Sequence, residues 1–348
     1  MKGYSSLDKI LHRQFLGDNS YSNFLYERII SKSKYYKNFT KRNNIFITGL
    51  ARSGTTALLN KIYATNEYGS LRYKYMPFIF SPKITNLFEY FYKSQDTELV
   101  ERFHKDGIKI NINSPECLDE IFWIKARLKG KNNFELKPKR IRHELIRAYS
   151  YLLNIYSDIE GNKNLVIKNN NNHLRIKYLS NYFKKSYFFI MFRDPLSHAY
   201  SLLSQHKNFL ELQKQDPFIL EYMDLIGHNE FGNNVMPFVY DSSDKNWYKK
   251  KDKLKIDYWI EQWIRTYSWI IKSKEFQKDN VFLISYEKLC SDDYLYKRIC
   301  KLVGILNNSA GKTFINGNKI SQIDKDIDDK NLMNKAKDIY KQLESLSF

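Results

Sequence analysis

The stretch Asn44–Ile62, NIFITGLARSGTTALLNKI, reads as an apolar strand, a tight turn bounded by glycines and the start of a helix. That order builds a phosphate cradle, because the turn and the first helical residues aim backbone N–H groups at one point and the helix dipole favours an anion there. The turn runs Gly49, Leu50, Ala51, Arg52, Ser53, Gly54, Thr55, Thr56, with the glycine spacing of the Walker A loop, G-x-x-x-x-G-K-[ST]. The Walker lysine is missing. Thr55 stands in its place, and a cation, Arg52, lies inside the loop.

That exchange argues against ATP or GTP hydrolysis. A P-loop hydrolase neutralises a polyphosphate with the lysine and a Mg²⁺ ion, which an aspartate after a second strand holds. The sequence offers no convincing aspartate for that task. A donor with one 5′-phosphate and a singly charged sulfonate presents less charge, so an arginine fork, hydroxyls and amides suffice without metal. Activated sulfate fits that description.

A second element points the same way. Ser186–Phe192, SYFFIMF, suits a buried parallel strand and leads at once into Arg193, Asp194, Pro195 and a helical stretch through His206. Asp194 can cap that helix and Pro195 occupies its first turn. Arg193 then lies at the carboxyl end of a strand, where open α/β sheets bind ligands, and Ser201 lies on the departing helix.

Together the two elements resemble the family of sulfotransferases that use 3′-phosphoadenosine 5′-phosphosulfate (PAPS). The resemblance implies that Arg52, Ser53, Gly54, Thr55 and Thr56 grip the 5′-phosphosulfate, while Arg193 and Ser201, eight residues apart, grip the 3′-phosphate. It extends loosely from about Asn43 to about Ile305, and the Arg-Ser-Gly-Thr-Thr loop is closer to the bacterial and tyrosylprotein-type branch than to the cytosolic one. PAPS as donor, 3′,5′-adenosine bisphosphate (PAP) as product and a hydroxyl-bearing acceptor follow from it. Two family features depart. The Arg-Lys-Gly box of the cytosolic branch has no clear counterpart, its nearest segment being Lys312–Lys319, and the histidine of a Lys-Thr-His run is replaced by asparagines after Lys168.

The 348 residues make one large domain or two small ones, and 43% hydrophobic content excludes wholesale disorder. A net charge of +19 and a pI near 9.5 attract anionic partners, nucleotides and acidic glycans among them. The charge is spread without a compact Arg-rich run, which disfavours a dedicated nucleic-acid groove. Cys117, Cys290 and Cys300 are too scattered for a disulfide framework or a Cys-x-x-Cys metal pair. No transmembrane stretch is present and the amino terminus lacks a signal-peptide core, so a cytoplasmic location is expected.

Alternating strands and helices predict an α/β fold, a three-layer domain with a central parallel sheet. The expected organisation is an N-terminal helical extension over 1–40, the catalytic domain over 41–310 and a polar C-terminal tail over 311–348, with a solvated helix over 324–346. Strands are expected at Leu165–Lys168 and Val281–Ser285, and helices over 209–225 and Ile256–Phe276. The latter carries Trp259, Trp263 and Trp269 as core residues.

Sulfuryl transfer to an alcohol needs an aligned acceptor oxygen, a base for its proton and cations against the leaving phosphate. Arg52 and Lys168 are the expected cations. Glu120 and His228 are the preferred base candidates, chosen from two polar clusters, His104 with Glu116 and Asp119, and His228 with Glu230; Glu67 is a further option. No metal is expected. Two other readings compete: a P-loop nucleotide or small-molecule kinase with an unusual loop, and a non-enzymatic basic binder of polyanions. The acceptor is left open among carbohydrate, peptide tyrosine, lipid and small alcohol, with an anionic one allowed, and a homo-oligomer is compatible but unlocated.

Overall fold

The computed structural model describes residues 4–36, 42–85, 98–103, 107–128, 135–241, 246–291, 293–306 and 329–348. His104 and the segment Lys312–Lys319 lie outside the described residues. Six strands are described: β1 (Ile45–Thr48), β2 (Val100–Glu101), β3 (Lys109–Ile110), β4 (Val166–Lys168), β5 (Tyr187–Phe192) and β6 (Val281–Ser285). The helices are α1 (Ser6–Leu16), α2 (Ser20–Ser33), α3 (Thr55–Ala64), α4 (Glu120–Leu128), α5 (His143–Ile159), α6 (Ile176–Tyr182), α7 (Pro195–Gln215), α8 (Phe218–Ile226), α9 (Ile256–Ser273), α10 (Tyr286–Ser291), α11 (Asp293–Val303) and α12 (Lys330–Leu346).

The main sheet is parallel throughout, in the order β4-β1-β5-β6. Its strands are apolar runs because both faces are covered. Successive side chains alternate between two cores: Ile45, Ile47, Phe189 and Met191 pack with Leu58 and Leu59 of α3 and Ile299 of α11. Phe46, Phe188, Ile190 and Phe192 face a larger core that includes Trp259 and Trp263 of α9. Helices on both faces make the α/β three-layer architecture.

The register places the working end of the sheet. Ile47 sits beside Lys168 on one side and Phe189 on the other, and Phe192 beside Ser285. Residues 49–54, 169–170, 193 and 286 therefore leave the sheet at neighbouring points along its carboxyl edge, with β1 between strands that come later in the chain. Ligands of open α/β sheets bind at such a place.

Two expectations about the elements change. The chain runs in one helix from Pro195 to Gln215 and restarts after Pro217, where the Asp216 side chain accepts from the N–H of Phe218 at 3.0 Å; the break falls at the proline and not before residue 209. The C-terminal helix is not solvated. Leu332, Met333, Ala336, Ile339 and Leu343 of α12 are buried in the larger core, where α12 packs on α9. That core also takes Leu16, Leu25, Tyr26 and Ile29 from the first helices.

Candidate active site

Between β1 and α3 the loop takes the form its glycines allow. Gly49 and Gly54 have φ of 136° and 92°, the left-handed side that glycine tolerates. A Cβ at Gly49 would stand 2.4 Å from the Met191 carbonyl oxygen, and one at Gly54 would stand 2.2 Å from the Tyr286 ring. Arg52 adopts a φ of 73°, which a non-glycine residue holds only when its surroundings impose it. Helix α3 opens at Thr55 with Gly54 as a cap that supplies no side-chain hydrogen bond, so its first N–H groups face a cavity of about 340 Å³ lined by Arg52, Gly54, Thr55 and Thr56.

Lys168, Arg193, His228 and Glu230 line the same cavity. Arg52 Nε donates to Ser201 Oγ at 3.0 Å, so the loop cation is tied to the helix that carries the second motif. Arg193 reaches back with Nη1 to the Arg52 carbonyl at 3.5 Å and lies over the Tyr286 ring at 5.2 Å. Its position is fixed from behind: Trp263 Nε1 donates to its carbonyl at 3.2 Å, and Asp194 caps α7 by accepting from Ser197 N at 2.8 Å. His198, fully buried one turn into α7, hydrogen-bonds the Ala51 carbonyl through Nε2 at 2.7 Å, and burial pushes its basicity down to about 3. A neutral imidazole therefore braces the loop. Ser53 is buried within the turn.

Where a Walker lysine would point, Thr55 Oγ1 instead lies 3.2 Å from Asn170 Oδ1, and Asn170 Nδ2 donates to Glu230 Oε1 at 3.0 Å. Lys168 is buried, with Nζ 3.4 Å from Glu116 Oε1. Glu116 is held on all sides: Tyr73 donates to it at 2.8 Å, the Cys117 N–H at 2.7 Å, and Arg102 stands 3.8 Å away. Burial alone would raise the Glu116 carboxyl, but Lys168, Arg102 and His228 outweigh it and hold it well below the usual carboxylate range. Burial lowers Lys168 likewise, and Glu116 more than restores it, so the ammonium stays charged.

The base candidates separate. His228 lines the cavity, and its Nε2 is buried without a hydrogen-bond partner. Glu120 is not brought there. It is 2% exposed and locked in a two-pronged pair with Arg175, both bonds at 2.7 Å, and it also accepts from Asn169 Nδ2 at 3.0 Å. Glu116 lies four residues earlier, before α4 begins, so the two carboxylates do not share a helix face and Glu120 points into this ion pair. Glu67 accepts from the Leu306 N–H, away from the cavity. Asp119 is buried between Tyr149 Oη at 2.7 Å and Asn169 Nδ2 at 3.1 Å.

Three contributors carry no motif. Arg102 comes from the short β2–β3 hairpin, and Asn170 from the run of asparagines after Lys168, which the sequence marks only as a departure from a family motif. Tyr286 could have been found: it is the first residue beyond β6, at the same carboxyl edge as Arg193.

The chain matches no protein-family model and no curated protein sequence. Among solved structures it is similar to sulfotransferase STF1 of Mycobacterium tuberculosis H37Rv, at 12% identity and a TM-score of 0.49 over 87% of this chain and 78% of that one. It is also similar to sulfotransferase STF9 of Mycobacterium avium, at 12% identity and a TM-score of 0.44 over 95% and 75%. Overlaps of that size leave the function to be argued from the chain's own residues.

Proposed function

We propose that the chain is a sulfotransferase that moves a sulfuryl group from PAPS to an acceptor hydroxyl. The observation that carries the reading is the convergence of Arg52, Lys168, Arg193 and His228, remote in sequence, on one cavity beside an open helix N-terminus. The loop's backbone leaves no space for a side chain at Gly54, where a Cβ would meet the Tyr286 ring, and the open N-terminus of α3 beside the cavity suits an anion.

When bound, the donor supplies an activated sulfur–oxygen bond, which breaks with its electron pair going to the phosphate as the acceptor oxygen bonds to sulfur. Arg52 and the first N–H groups of α3 hold the 5′-phosphosulfate. Arg193 and Ser201 hold the 3′-phosphate, and Ser201, now bonded to Arg52, links the two anion sites. Lys168 offsets charge on the leaving oxygen, and Glu116 keeps that ammonium charged and aimed. His228 takes the acceptor's proton, since its buried Nε2 lacks the partner that a hydroxyl would give. Thr55, turned to Asn170, stands where the Walker lysine would reach a γ-phosphate.

Calorimetry at moderate salt tests the donor. PAP should bind more tightly than ATP-Mg²⁺, and Arg193→Ala should lose that binding. ATP-Mg²⁺ preferred, or Arg193→Ala unchanged, would put the kinase reading first.

A further inference from the structure

A second cavity, of about 460 Å³, shares Arg102 and His228 with the first. We propose that it is the acceptor site and that it takes a small, neutral, mainly apolar alcohol or phenol, with α1 as its outer wall. The inference rests on the sulfotransferase reading and narrows its acceptor.

The first argument is position. His228 and Arg102 stand at the junction, so a molecule in the second cavity presents its near end to the imidazole and to the space beside Lys168. Glu116, the carboxylate that holds Lys168, lines this cavity as well.

The second argument is chemistry. One wall is apolar: Phe103 follows β2, Phe209 comes from α7, and Ile219, Tyr222, Met223 and Ile226 come from α8. A sugar here would lay hydroxyls against that apolar wall, which desolvation penalises. Asp8, Glu98 and Glu116 line the cavity, whereas Arg102 at the junction is its one lysine or arginine among the described residues. His12 adds no charge, because burial lowers its basicity. An anionic tail would therefore meet carboxylates.

The third argument is size and closure. The volume suits one drug-sized molecule and not a polymer. Helix α1 shuts the outer side: Arg13 makes a two-pronged bond to Glu221 at 2.6 and 2.7 Å, and Lys9 meets Asp216 at 3.4 Å. Between these fasteners Tyr4 packs its ring 5.0 Å from both Phe218 and Tyr222.

Two phenols of matched shape test this, titrated by calorimetry into the full chain saturated with PAP. The neutral 2-naphthol should bind at least about tenfold more tightly than its anionic analogue 6-hydroxy-2-naphthoate. Val100→Trp places a bulky ring in the cavity from a position 47% exposed, and Tyr4→Ala opens the wall. Both should weaken 2-naphthol by about tenfold while PAP affinity stays within about twofold. Equal or tighter binding of the naphthoate, tighter binding of glucose or a tyrosine peptide than of 2-naphthol, or indifference to both substitutions would overturn the proposal. PAP binding without naphthol binding sinks the acceptor assignment alone. Absence of PAP binding sinks the donor reading, and the acceptor role falls with it.

Discussion

At the scale of single residues, charged groups in and around the site divide into those that meet a ligand and those that hold the frame. Arg52 lines the cavity in a strained backbone conformation, half-buried, with its Nε bonded to Ser201. Arg52→Ala should lower turnover by about a hundredfold to a thousandfold, the loss expected for one transition-state donor at ~2.7–4 kcal/mol, and leave the melting temperature nearly unchanged. Glu120→Gln should behave oppositely. Breaking a buried two-pronged pair leaves Arg175 uncompensated and costs about 3–5 kcal/mol of stability, while turnover per folded molecule stays normal. Steady-state rates beside thermal denaturation of both variants check the division; a Glu120→Gln enzyme that is stable but inactive would restore that residue to the chemistry.

Elements explain why some of this was readable in advance. The β1–loop–α3 unit announces itself locally, since an apolar run, two glycines and hydroxyl residues each act within a few positions. The β5–Arg193–Asp194–Pro195 unit does the same, and both took the form their sequences predicted. The role of Glu120 was not readable, because its partner Arg175 lies 55 positions away and nothing local distinguishes a catalytic carboxylate from a paired one. The packing of α12 was hidden for a related reason: α9, α7 and β6, which it packs against, are remote from it in the chain. Tyr286 ties two elements together, lying over the loop from the end of β6. Gly54→Ala should push that ring aside and strain the backbone at φ 92°, costing about 1–3 kcal/mol and weakening PAP binding in calorimetry. Adding Tyr286→Ala should return part of the stability; no recovery in the double variant would mean that backbone strain, and not the ring, sets the cost.

For the molecule as a whole, acidity acts through a fully buried carboxyl behind the cavity wall. Burial pushes the Asp119 carboxyl up to about 6 from an ordinary 3.8, with Tyr149 and Asn169 opposing that rise. Between those values the folded chain holds a proton that the unfolded chain has released. Stability from this group is therefore complete below about pH 4 and is lost as pH rises to about 6, a change of up to about 3 kcal/mol. Buried His173, His198 and His206, whose basicity burial lowers, add stability over the same range as pH rises. The Asp119 contribution is therefore read as a difference: in urea denaturation from pH 4.5 to 7 the wild type should lose stability relative to Asp119→Asn as pH rises. A difference that stays constant over this range would place the proton elsewhere.

The margins of the parallel sheet bear on how copies of the chain can meet. Beyond β4, Gly69 donates to Asn164 and accepts from Val166, both at 2.8 Å. Beyond β6, the Phe348 N–H bonds the Leu283 carbonyl at 2.9 Å, and the Phe348 ring sits between Phe282 and Arg298. Each outer strand is thus partly satisfied by backbone from its own chain, which blunts the open ladder that strand addition needs. Self-association, where it occurs, is steered toward helix faces and loops, and a dimer of this protein would keep two separate four-stranded sheets instead of fusing them into one.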